Sequence, residues 1–231
     1  MKNGPINDTL YIAAKAPRAG LAKTRLGQAI GHERAVALYA SFLRDLAARF
    51  AHAPFALGWY ITPPDAWPEL APLVDAARGE ARVLAQGEGD WTARQRDLFR
   101  GAAARGEERV ILVASDSPHL TVDIVNAAFR ALDRHELVVG PTHDGGYYLI
   151  GMRGWHDVLQ GIPMSTRTVL GDIAARAEAS GLSVGRVEPL FDIDEEDDLT
   201  QLRSLVRVRA DLPATRAALA ACGLWHKGES V

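Results

Sequence analysis

The chain has 231 residues, of which 48% are hydrophobic and 24% charged, the ordinary balance of a globular protein. This length suits one sizeable α/β domain and is short for two. The formal net charge of −3 gives no basic footprint, so nucleic acid is a poor candidate partner, although a small nucleotide needs only a local cluster of cations. The single cysteine, Cys222, excludes an internal disulfide and a cysteine-based zinc site.

No apolar stretch approaches the roughly 20 residues that a membrane-spanning helix needs. The first eight residues are polar and lack the apolar core of a signal peptide, so we expect a cytoplasmic protein without a membrane span. We expect residues 1–8 to be flexible, residues 9–210 to form one folded domain, and residues 211–231 to form a final helix and tail.

Short apolar runs alternate with helical periodicity along the chain. The runs predict strands at residues 9–14, 55–61, 81–85, 109–114, 136–140, 145–151 and 182–187. The first predicted helix begins near residue 31. The following helices cover residues 67–77, 91–104, 121–132, 168–180 and 196–208, and the last begins at Pro213. Because strands alternate with helices of ten or more residues, this is an α/β fold whose mostly parallel sheet is flanked by helices.

The first candidate site is the loop 15–27, which follows the first strand and carries Lys15, Arg18, Lys23 and Arg25. In open α/β sheets, ligands bind outside the carboxyl ends of the strands. Arginine can hold phosphate oxygens by forked hydrogen bonds, and lysine can do so as a point charge. The alternative is a solvated surface loop. The sequence matches neither a Walker motif nor a G-x-G-x-x-G fingerprint, so an ATPase or dehydrogenase lacks its signature here.

The second and third candidates are acidic. Asp116 emerges from the strongest predicted strand, where a hard cation such as Mg²⁺ would find an oxygen ligand, although Asp116 could instead cap the following helix. Asp192 and Asp194 lie two residues apart, so in an extended segment they share one face. We favour Asp194 as the second metal carboxylate and leave Asp192 open. The acidic residues 195–198 are expected only to complement the dipole of the next helix.

The fourth candidate is the segment 140–148. Gly145 and Gly146 would permit close backbone approach to a ligand, and His143 and Asp144 could bind or deprotonate an acceptor. A tight turn explains both glycines equally well. Arg167 adds a possible anion contact near a predicted helix start.

These segments together resemble a known family. The sequence Ala-Lys-Ala-Pro-Arg-Ala-Gly-Leu-Ala-Lys-Thr-Arg-Leu at 14–26 is similar to the opening of a bacterial GT-A-type glycosyltransferase-like family. That family is also described as radical-SAM/selenodomain-associated transferase or arsenosugar-biosynthesis glycosyltransferase. Segments 86–90, 114–118, 140–151 and 192–194 resemble its other blocks in the same order. The first and last blocks are also similar to 2-phospho-L-lactate guanylyltransferase and the molybdenum-cofactor nucleotidyltransferases.

The resemblance implies a nucleotide-diphospho-sugar transferase fold (GT-A, Rossmann-like) with a divalent metal, Mg²⁺ or Mn²⁺, at Asp116, to which our interpretation of the residues adds Asp194 as the second ligand. It implies nucleotide contacts from the loop after the first strand and its neighbours. This predicted nucleotide set comprises Ala13, Ala14, Lys15, Arg18, Lys23, Arg25, Gln86 and Ser115. The sequence departs from the family at 92–95, where Thr-Ala-Arg-Gln replaces the Gly-Glu-Arg-Met of relatives, which puts in question any base or acceptor contact at that helix start.

Two chemistries suit these residues. The cationic loop favours nucleotidylyl transfer from an NTP to a small phosphorylated or carboxylated acceptor, with Lys23 and Arg25 stabilising pyrophosphate and Asp116 holding the metal. Glycosyl transfer from a nucleotide sugar is the alternative. A catalytically inactive nucleotide-binding partner is a third hypothesis. These residues do not determine the base, the acceptor or the oligomeric state.

Overall fold

The structure is a computed structural model that describes residues 8–74, 82–164 and 166–225. Of the predicted flexible segment 1–8, only Asp8 is described, and of the predicted final helix and tail, residues 211–225 are described. The predicted helix residues 75–77 lie outside the described residues. The strands are β1 (Asp8–Lys15), β2 (Ala56–Thr62), β3 (Arg82–Ala85), β4 (Arg109–Ala114), β5 (Leu137–Pro141), β6 (Tyr147–Arg153) and β7 (Val184–Arg186). The helices are α1 (Thr24–Ile30), α2 (His32–Phe50), α3 (Trp67–Val74), α4 (Trp91–Ala104), α5 (Val122–Leu132), α6 (Val169–Ala179), α7 (Asp198–Val208) and α8 (Pro213–Ala221).

The strands form one sheet in the order β3-β2-β1-β4-β6-β5-β7. All neighbours pair in parallel except β6, which runs antiparallel to both β4 and β5. The connection from β5 to β6 is only residues 142–146, too short for the crossover that a parallel pair requires, so β6 returns as a hairpin strand. The predicted α/β fold with a mostly parallel sheet is confirmed.

Each face of the sheet is covered by a separate apolar core. One core joins the side chains of Leu10 and Ile12 to those of α2, α3, α5, α7 and α8. The other joins Tyr11 and Leu112 to α4 and α6. Neighbouring residues of β1 thus point to opposite faces, as the pleat of a strand requires. Burial on both faces explains why the central strands are apolar runs rather than alternating ones.

The sheet order places a switch point between β1 and β4. From β1 the chain builds outward to β2 and β3 on one side, and β4 then starts the other half of the sheet. The crevice at the carboxyl ends of two such strands is where open α/β sheets bind ligands. The residues that follow β1 and β4 are therefore brought together at one edge.

The prediction of a loop over residues 15–27 was wrong for residues 24–27. Residues 24–30 form the short helix α1, which ends at Gly31, where α2 follows almost directly. Leu26 is fully buried in the core beneath this helix. Gly20 and Gly27 lie within eight residues, which is typical of an irregular loop. The burial of Leu26 instead favours a helical turn that the local sequence does not indicate.

Candidate active site

A cavity of about 470 Å³ opens at the carboxyl ends of β1 and β4. This volume is within the range of small-molecule sites. It is lined by Ala13, Ala14, Lys15, Ala22, Lys23, Thr24, Arg25, Tyr39, Gln86, Trp91, Arg94, Ala114, Ser115, Asp116, Asp192 and Asp194. Seven of the eight residues predicted to contact the nucleotide therefore line one cavity, together with both predicted metal ligands.

Lys23 lies between the two predicted metal carboxylates. Its Nζ forms ion pairs with Oδ1 of Asp116 and, at 3.0 Å, with Oδ1 of Asp194, and only 2% of its side chain is exposed. Burial alone would lower the pKa of Lys23, but the charges of Asp116 and Asp194 outweigh burial and raise the pKa above its usual range. The ammonium group therefore stays protonated inside the acidic cluster.

The backbone and two aromatic rings hold Lys23 in this position. Lys23 precedes α1 with φ 50° and ψ 46°, a left-handed conformation that is uncommon for residues other than glycine. Its Nζ is 5.9 Å from the ring centroids of Tyr39 and Phe42. Such strain persists only where the surroundings determine it, and it often marks a functional site.

Arg25 reaches the same carboxylate from the solvent side. Its guanidinium donates to Oδ2 of Asp194 at 2.6 Å and to Glu195 at 2.8 Å, while 62% of its side chain stays exposed. Burial would raise the pKa of Asp194, but Lys23 and Arg25 outweigh burial and hold that pKa below its usual range. Glu195 thus has a contact at the site in addition to the predicted role of the acidic run 195–198 at the helix dipole.

Asp192 lines the cavity beside Asp116 and Asp194, so the expectation that Asp192 and Asp194 face the same way is confirmed. Ser117 Oγ lies 2.6 Å from Asp192 Oδ1 and 3.0 Å from the carbonyl oxygen of Phe191. Burial first, and then the negative charge of Asp116, raise the pKa of Asp192 to about 7. Three carboxylates share the site, and Asp192 forms no ion pair with a lysine or arginine among the described residues.

The two acidic segments are also joined through the backbone. The amide of Ile193 donates to the carbonyl oxygen of Asp116 at 3.0 Å. Asp116 does not cap α5, because the hydroxyl of Thr121 accepts the hydrogen bond from the Ile124 amide. The alternative that Asp116 is only a helix cap is therefore wrong for this chain.

Tyr39 connects the loop after β1 to the end of β4. Its hydroxyl accepts a hydrogen bond from the Lys15 amide at 3.0 Å and lies 2.9 Å from Ser115 Oγ. Burial, followed by the negative charge of Asp116, raises the pKa of Tyr39 to about 12. The sequence showed Tyr39 only as one of several apolar residues on a helix stripe.

Gln86 also lines the cavity and is almost fully buried. Its Nε2 donates to the carbonyl oxygen of Tyr60 at 2.8 Å, and its Oε1 accepts from Arg94 at 3.3 Å. Arg94 also donates to the carbonyl oxygen of Gly89 at 3.1 Å. The orientation of the Gln86 amide is thus set by protein contacts on both of its ends.

Arg18 is the one predicted nucleotide contact that does not line the cavity. Its guanidinium instead binds Glu69 at 2.5 Å and Asp65 at 3.3 Å on the surface beside α3. The chain turns after Ala16 and carries Arg18 toward this acidic pair. The position of Arg18 shortly after β1 therefore did not predict where its side chain points.

A second cavity of about 430 Å³ adjoins the first and shares Arg25, Trp91, Asp192 and Asp194 with it. Its remaining walls come from Thr142, Asp144, Gly146, Tyr147, Met164, Thr166, Arg167 and Val169. Three of the five predicted acceptor residues, Asp144, Gly146 and Arg167, therefore line this cavity. His143 is exposed and does not line either cavity.

Gly145 explains part of the paired-glycine motif. It has φ +91°, and a Cβ atom there would overlap the carbonyl oxygen of Arg167. The Gly145 carbonyl also accepts from the Leu170 amide at 3.3 Å. The turn between β5 and β6 thus packs directly on the segment that carries Arg167. Hydrogen bonding by Thr142 is the main cause that holds the pKa of Asp144 below its usual range, and the charge of Arg167 adds to it.

The wall between the two cavities, formed by α4 and β6, is not predicted from the sequence. Trp91 begins α4 directly after Asp90, whose carboxylate caps the helix by accepting from the Ala93 amide at 2.8 Å. Gln95, fully buried one turn later, accepts a hydrogen bond from the Tyr147 hydroxyl at 2.9 Å. The cap and the departure from the family at 92–95 were visible in the sequence, but which faces of α4 and β6 meet was not.

The carboxylates can be tested as a metal site by their chemistry. Among residues 8–74, 82–164 and 166–225, no group of three or more His, Cys, Asp or Glu side chains is arranged so that it could hold a metal ion by itself. Asp116, Asp192 and Asp194 nevertheless offer only oxygen ligands, the type that Mg²⁺ and Mn²⁺ prefer. Burial is the main cause that raises the pKa of Asp192, and the negative charges of Asp116 and Asp194 raise it further. The donor set therefore fits a divalent cation.

Comparison with known proteins places the chain in a family. The profile of DUF2064, described as an uncharacterized protein conserved in bacteria, matches residues 47–166. The chain belongs to this family. The matched part of this DUF2064 protein includes Asp116 and the turn before β6, whereas Lys23 and Asp194 lie outside it. No curated protein matches the chain significantly.

Solved structures share the fold. A protein of Desulfovibrio desulfuricans G20, described provisionally as a nucleotide-diphospho-sugar transferase, is 25% identical, with a TM-score of 0.83 over 94% of this chain and 97% of its own. A nucleotidyl transferase from Methanothermobacter is 15% identical, with a TM-score of 0.58 over 89% of this chain and 100% of its own. CMP:2-keto-3-deoxy-manno-octonic acid synthetase, solved with CTP, is 12% identical, with a TM-score of 0.54 over 87% and 98%.

These neighbours confirm the predicted nucleotide-diphospho-sugar transferase fold, and they agree with the prediction of a transferase. The narrower resemblance to the arsenosugar-type glycosyltransferases stays a prediction. None of the described helices has the length and apolarity needed to cross a bilayer.

Proposed function

We propose that this DUF2064 protein is a metal-dependent transferase that binds a nucleotide-activated donor and transfers a nucleotidyl group from an NTP to a small acceptor. One observation carries the proposal. Lys23, Arg25 and Lys15 line the same cavity as Asp116, Asp192 and Asp194, at the switch point of the sheet. Cations beside a carboxylate cluster suit a polyphosphate bound through a divalent metal.

The donor is proposed to occupy the first cavity. Gln86 and Arg94 would contact the nucleoside end, and Lys15 with Arg25 would contact phosphate oxygens. Asp116 and Asp194, joined by Asp192, would hold Mg²⁺ or Mn²⁺, which when bound would neutralise charge on the phosphates. Lys23 and Arg25 would stabilise the departing pyrophosphate, because cations lower the energy of charge that develops in the transition state.

The acceptor is proposed to occupy the second cavity. Arg167 is a cation in its wall, which suits a phosphate or carboxylate group on the acceptor. Trp91 and Met164 offer apolar surface for the rest of the molecule. Because both cavities share Arg25, Asp192 and Asp194, an acceptor group placed there would meet the donor phosphates at the metal.

Glycosyl transfer is the second candidate, and one observation favours it. The neighbour with a TM-score of 0.83 is described provisionally as a nucleotide-diphospho-sugar transferase, whereas the nucleotidyl transferase reported above reaches 0.58. In that reaction Lys23 and Arg25 would stabilise a departing nucleoside diphosphate instead of pyrophosphate. An inactive nucleotide-binding partner is a third candidate.

The test measures which leaving group appears. The protein is incubated with Mg²⁺, a pool of small phosphorylated and carboxylated compounds, and each NTP in turn, and pyrophosphate is assayed. A parallel series uses nucleotide sugars and assays nucleoside diphosphate. We expect one NTP to yield pyrophosphate. Nucleoside diphosphate from a sugar donor, with no pyrophosphate from any NTP, would establish the second candidate; no product in either series would favour the third.

A pair of Asp→Asn variants tests the site independently of the substrate. Asp116→Asn should lower turnover at least about 100-fold, since it removes the negative charge of a metal ligand with little change in side-chain size. Asp123→Asn is the control, because Asp123 is exposed on the first turn of α5 outside both cavities, and it should stay within about twofold of the parent. Equal turnover by the parent and Asp116→Asn would refute the assignment of Asp116.

A further inference from the structure

We propose that Lys23 and a divalent cation compete for the same carboxylate oxygens, so that Lys23 is released toward the donor phosphates only when the metal binds. The inference rests on the proposed function, because it requires a metal at Asp116 and Asp194. It adds an order of events to that site, in which the metal enters first and the lysine becomes available afterwards.

The contacts of Lys23 are those that a metal would need. Its Nζ contacts Oδ1 of Asp116 and lies 3.0 Å from Oδ1 of Asp194. Mg²⁺ binds carboxylate oxygens at about 2.1 Å and requires a nearly octahedral arrangement of ligands. A cation bound to both Oδ1 atoms would occupy the space of Nζ. The ammonium group and the metal therefore cannot hold this oxygen pair at the same time.

Lys23 is also withheld from a ligand while it is paired. Only 2% of its side chain is exposed, although the residue lines the donor cavity. Arg25 differs in both respects, since it is 62% exposed and contacts Asp194 through the other oxygen, Oδ2. A lysine held between two carboxylates is a poor phosphate ligand, because its charge is already neutralised. Once displaced from them, its flexible stem can carry the ammonium into the cavity.

The experiment measures Mn²⁺ binding to the metal-free protein, without nucleotide, from the electron paramagnetic resonance signal of free Mn²⁺. Lys23→Met keeps a similar length and removes the competing charge, so it should bind Mn²⁺ at least about tenfold more tightly than the parent. Arg25→Met is the matched control. It removes a positive charge from the same carboxylate without vacating Oδ1, and its gain should be clearly smaller.

The outcomes separate this inference from the proposed function. Mn²⁺ binding that Asp116→Asn abolishes, but that Lys23→Met does not tighten, would overturn the competition and leave the metal site intact. An equal gain for Lys23→Met and Arg25→Met would also overturn it, because general electrostatics would then suffice. If the parent and Lys23→Met both lack Asp116-dependent binding, the metal does not enter before the donor and this inference is overturned; the proposed metal itself is wrong if such binding is still lacking when a nucleoside triphosphate is added.

A second measurement needs no variant and covers the case in which Lys23→Met does not fold. The chain has four lysines, and the acylation rate of each can be followed by peptide mass spectrometry. Lys23 should react slowly in the metal-free protein and several-fold faster with saturating Mn²⁺. Lys15, which is exposed at the same cavity, is the internal control and should change little. Unchanged or slower acylation of Lys23 with Mn²⁺ would contradict its release.

Discussion

Ser117 joins the two acidic segments of the site through one hydroxyl group. Its Oγ lies within hydrogen-bond distance of both Asp192 and the Phe191 carbonyl, and the residue is 1% exposed. Buried carboxylates need such donors, because an unsatisfied charged oxygen is costly away from water. Asp192 therefore depends on Ser117 for its place beside Asp116, and the metal site depends on a residue that would not itself bind the metal.

At the residue scale we predict that Ser117→Ala lowers the free energy of unfolding by about 1–3 kcal/mol, measured by urea denaturation at pH 8. Ser41→Ala is the matched control. Ser41 is equally buried, but its hydroxyl donates to the Leu38 carbonyl in its own helix and joins no second segment among the described residues, so its loss should be smaller. Equal losses would show that the Ser117 contact contributes nothing beyond ordinary burial.

At the scale of elements, the hairpin between β5 and β6 sets the position of the acceptor wall. Gly145 packs its backbone on the carbonyl of Arg167, and the turn then leads into β6, which supplies Tyr147. Because the contact is between two backbones, no side-chain movement could relieve a larger residue at this point. The turn and the Arg167 segment should therefore move together when either is changed.

A pair of Gly→Ala variants tests this contact. Gly145 and Gly154 both have positive φ, at +91° and +75°, so alanine is strained at either position by about 1 kcal/mol. A Cβ at Gly154 meets no atom within 4 Å, whereas one at Gly145 meets Arg167. Gly145→Ala should therefore lower the unfolding free energy by more than about 2 kcal/mol. A cost equal to that of Gly154→Ala would rule out the backbone contact as the reason for glycine.

At the scale of the whole molecule, the buried imidazole of His119 links stability to pH. Its ring packs against the tilted ring of Phe191, with the two ring centroids 4.4 Å apart. Both ring nitrogens are buried without a hydrogen-bond partner among the described residues. Burial, followed by the nearby charges of Arg209 and Arg49, lowers the pKa of His119 to about 4. Both arginines also pair with Asp211. His119 therefore stays neutral in the folded protein over most of the acid range.

The sign of the pH effect follows from where the proton binds. Below the ordinary histidine pKa of about 6.5, the unfolded chain binds a proton at His119 that the folded chain does not bind, so stability falls as pH drops. Between pH 6.5 and 4 the parent should lose about 3 kcal/mol more than His119→Phe, which keeps a ring against Phe191. The loss should level off below pH 4. Parallel stability curves for the two proteins, measured by urea unfolding, would contradict this.

A second histidine variant controls for the substitution itself. His52 is exposed at the end of α2, so His52→Phe removes an imidazole without changing a buried one. Its stability curve should keep the slope of the parent between pH 6.5 and 4. A slope lost equally in both variants would mean that the effect does not come from burial at His119.

The sequence by itself determined most of the local elements, α1 excepted. Helix α4 at 91–104 and strand β4 at 109–114 have the predicted bounds, and α5 begins after the predicted cap Thr121. Apolar runs, caps and proline positions act over a few residues, so they can be recognised without tertiary structure. The strand ends then located most of the site, because carboxyl ends of parallel strands meet at one edge.

Only the tertiary structure decided what the site residues contact. Lys23 pairs with Asp194 across 171 positions of sequence, and Arg18 turns away to Glu69. Helix α8 has no side-chain cap of its own, and Asp45 from α2 accepts hydrogen bonds from its first amides instead. Ion pairs, shared walls and distant caps depend on how whole elements pack, and packing is set by the complete core rather than by any local run of residues.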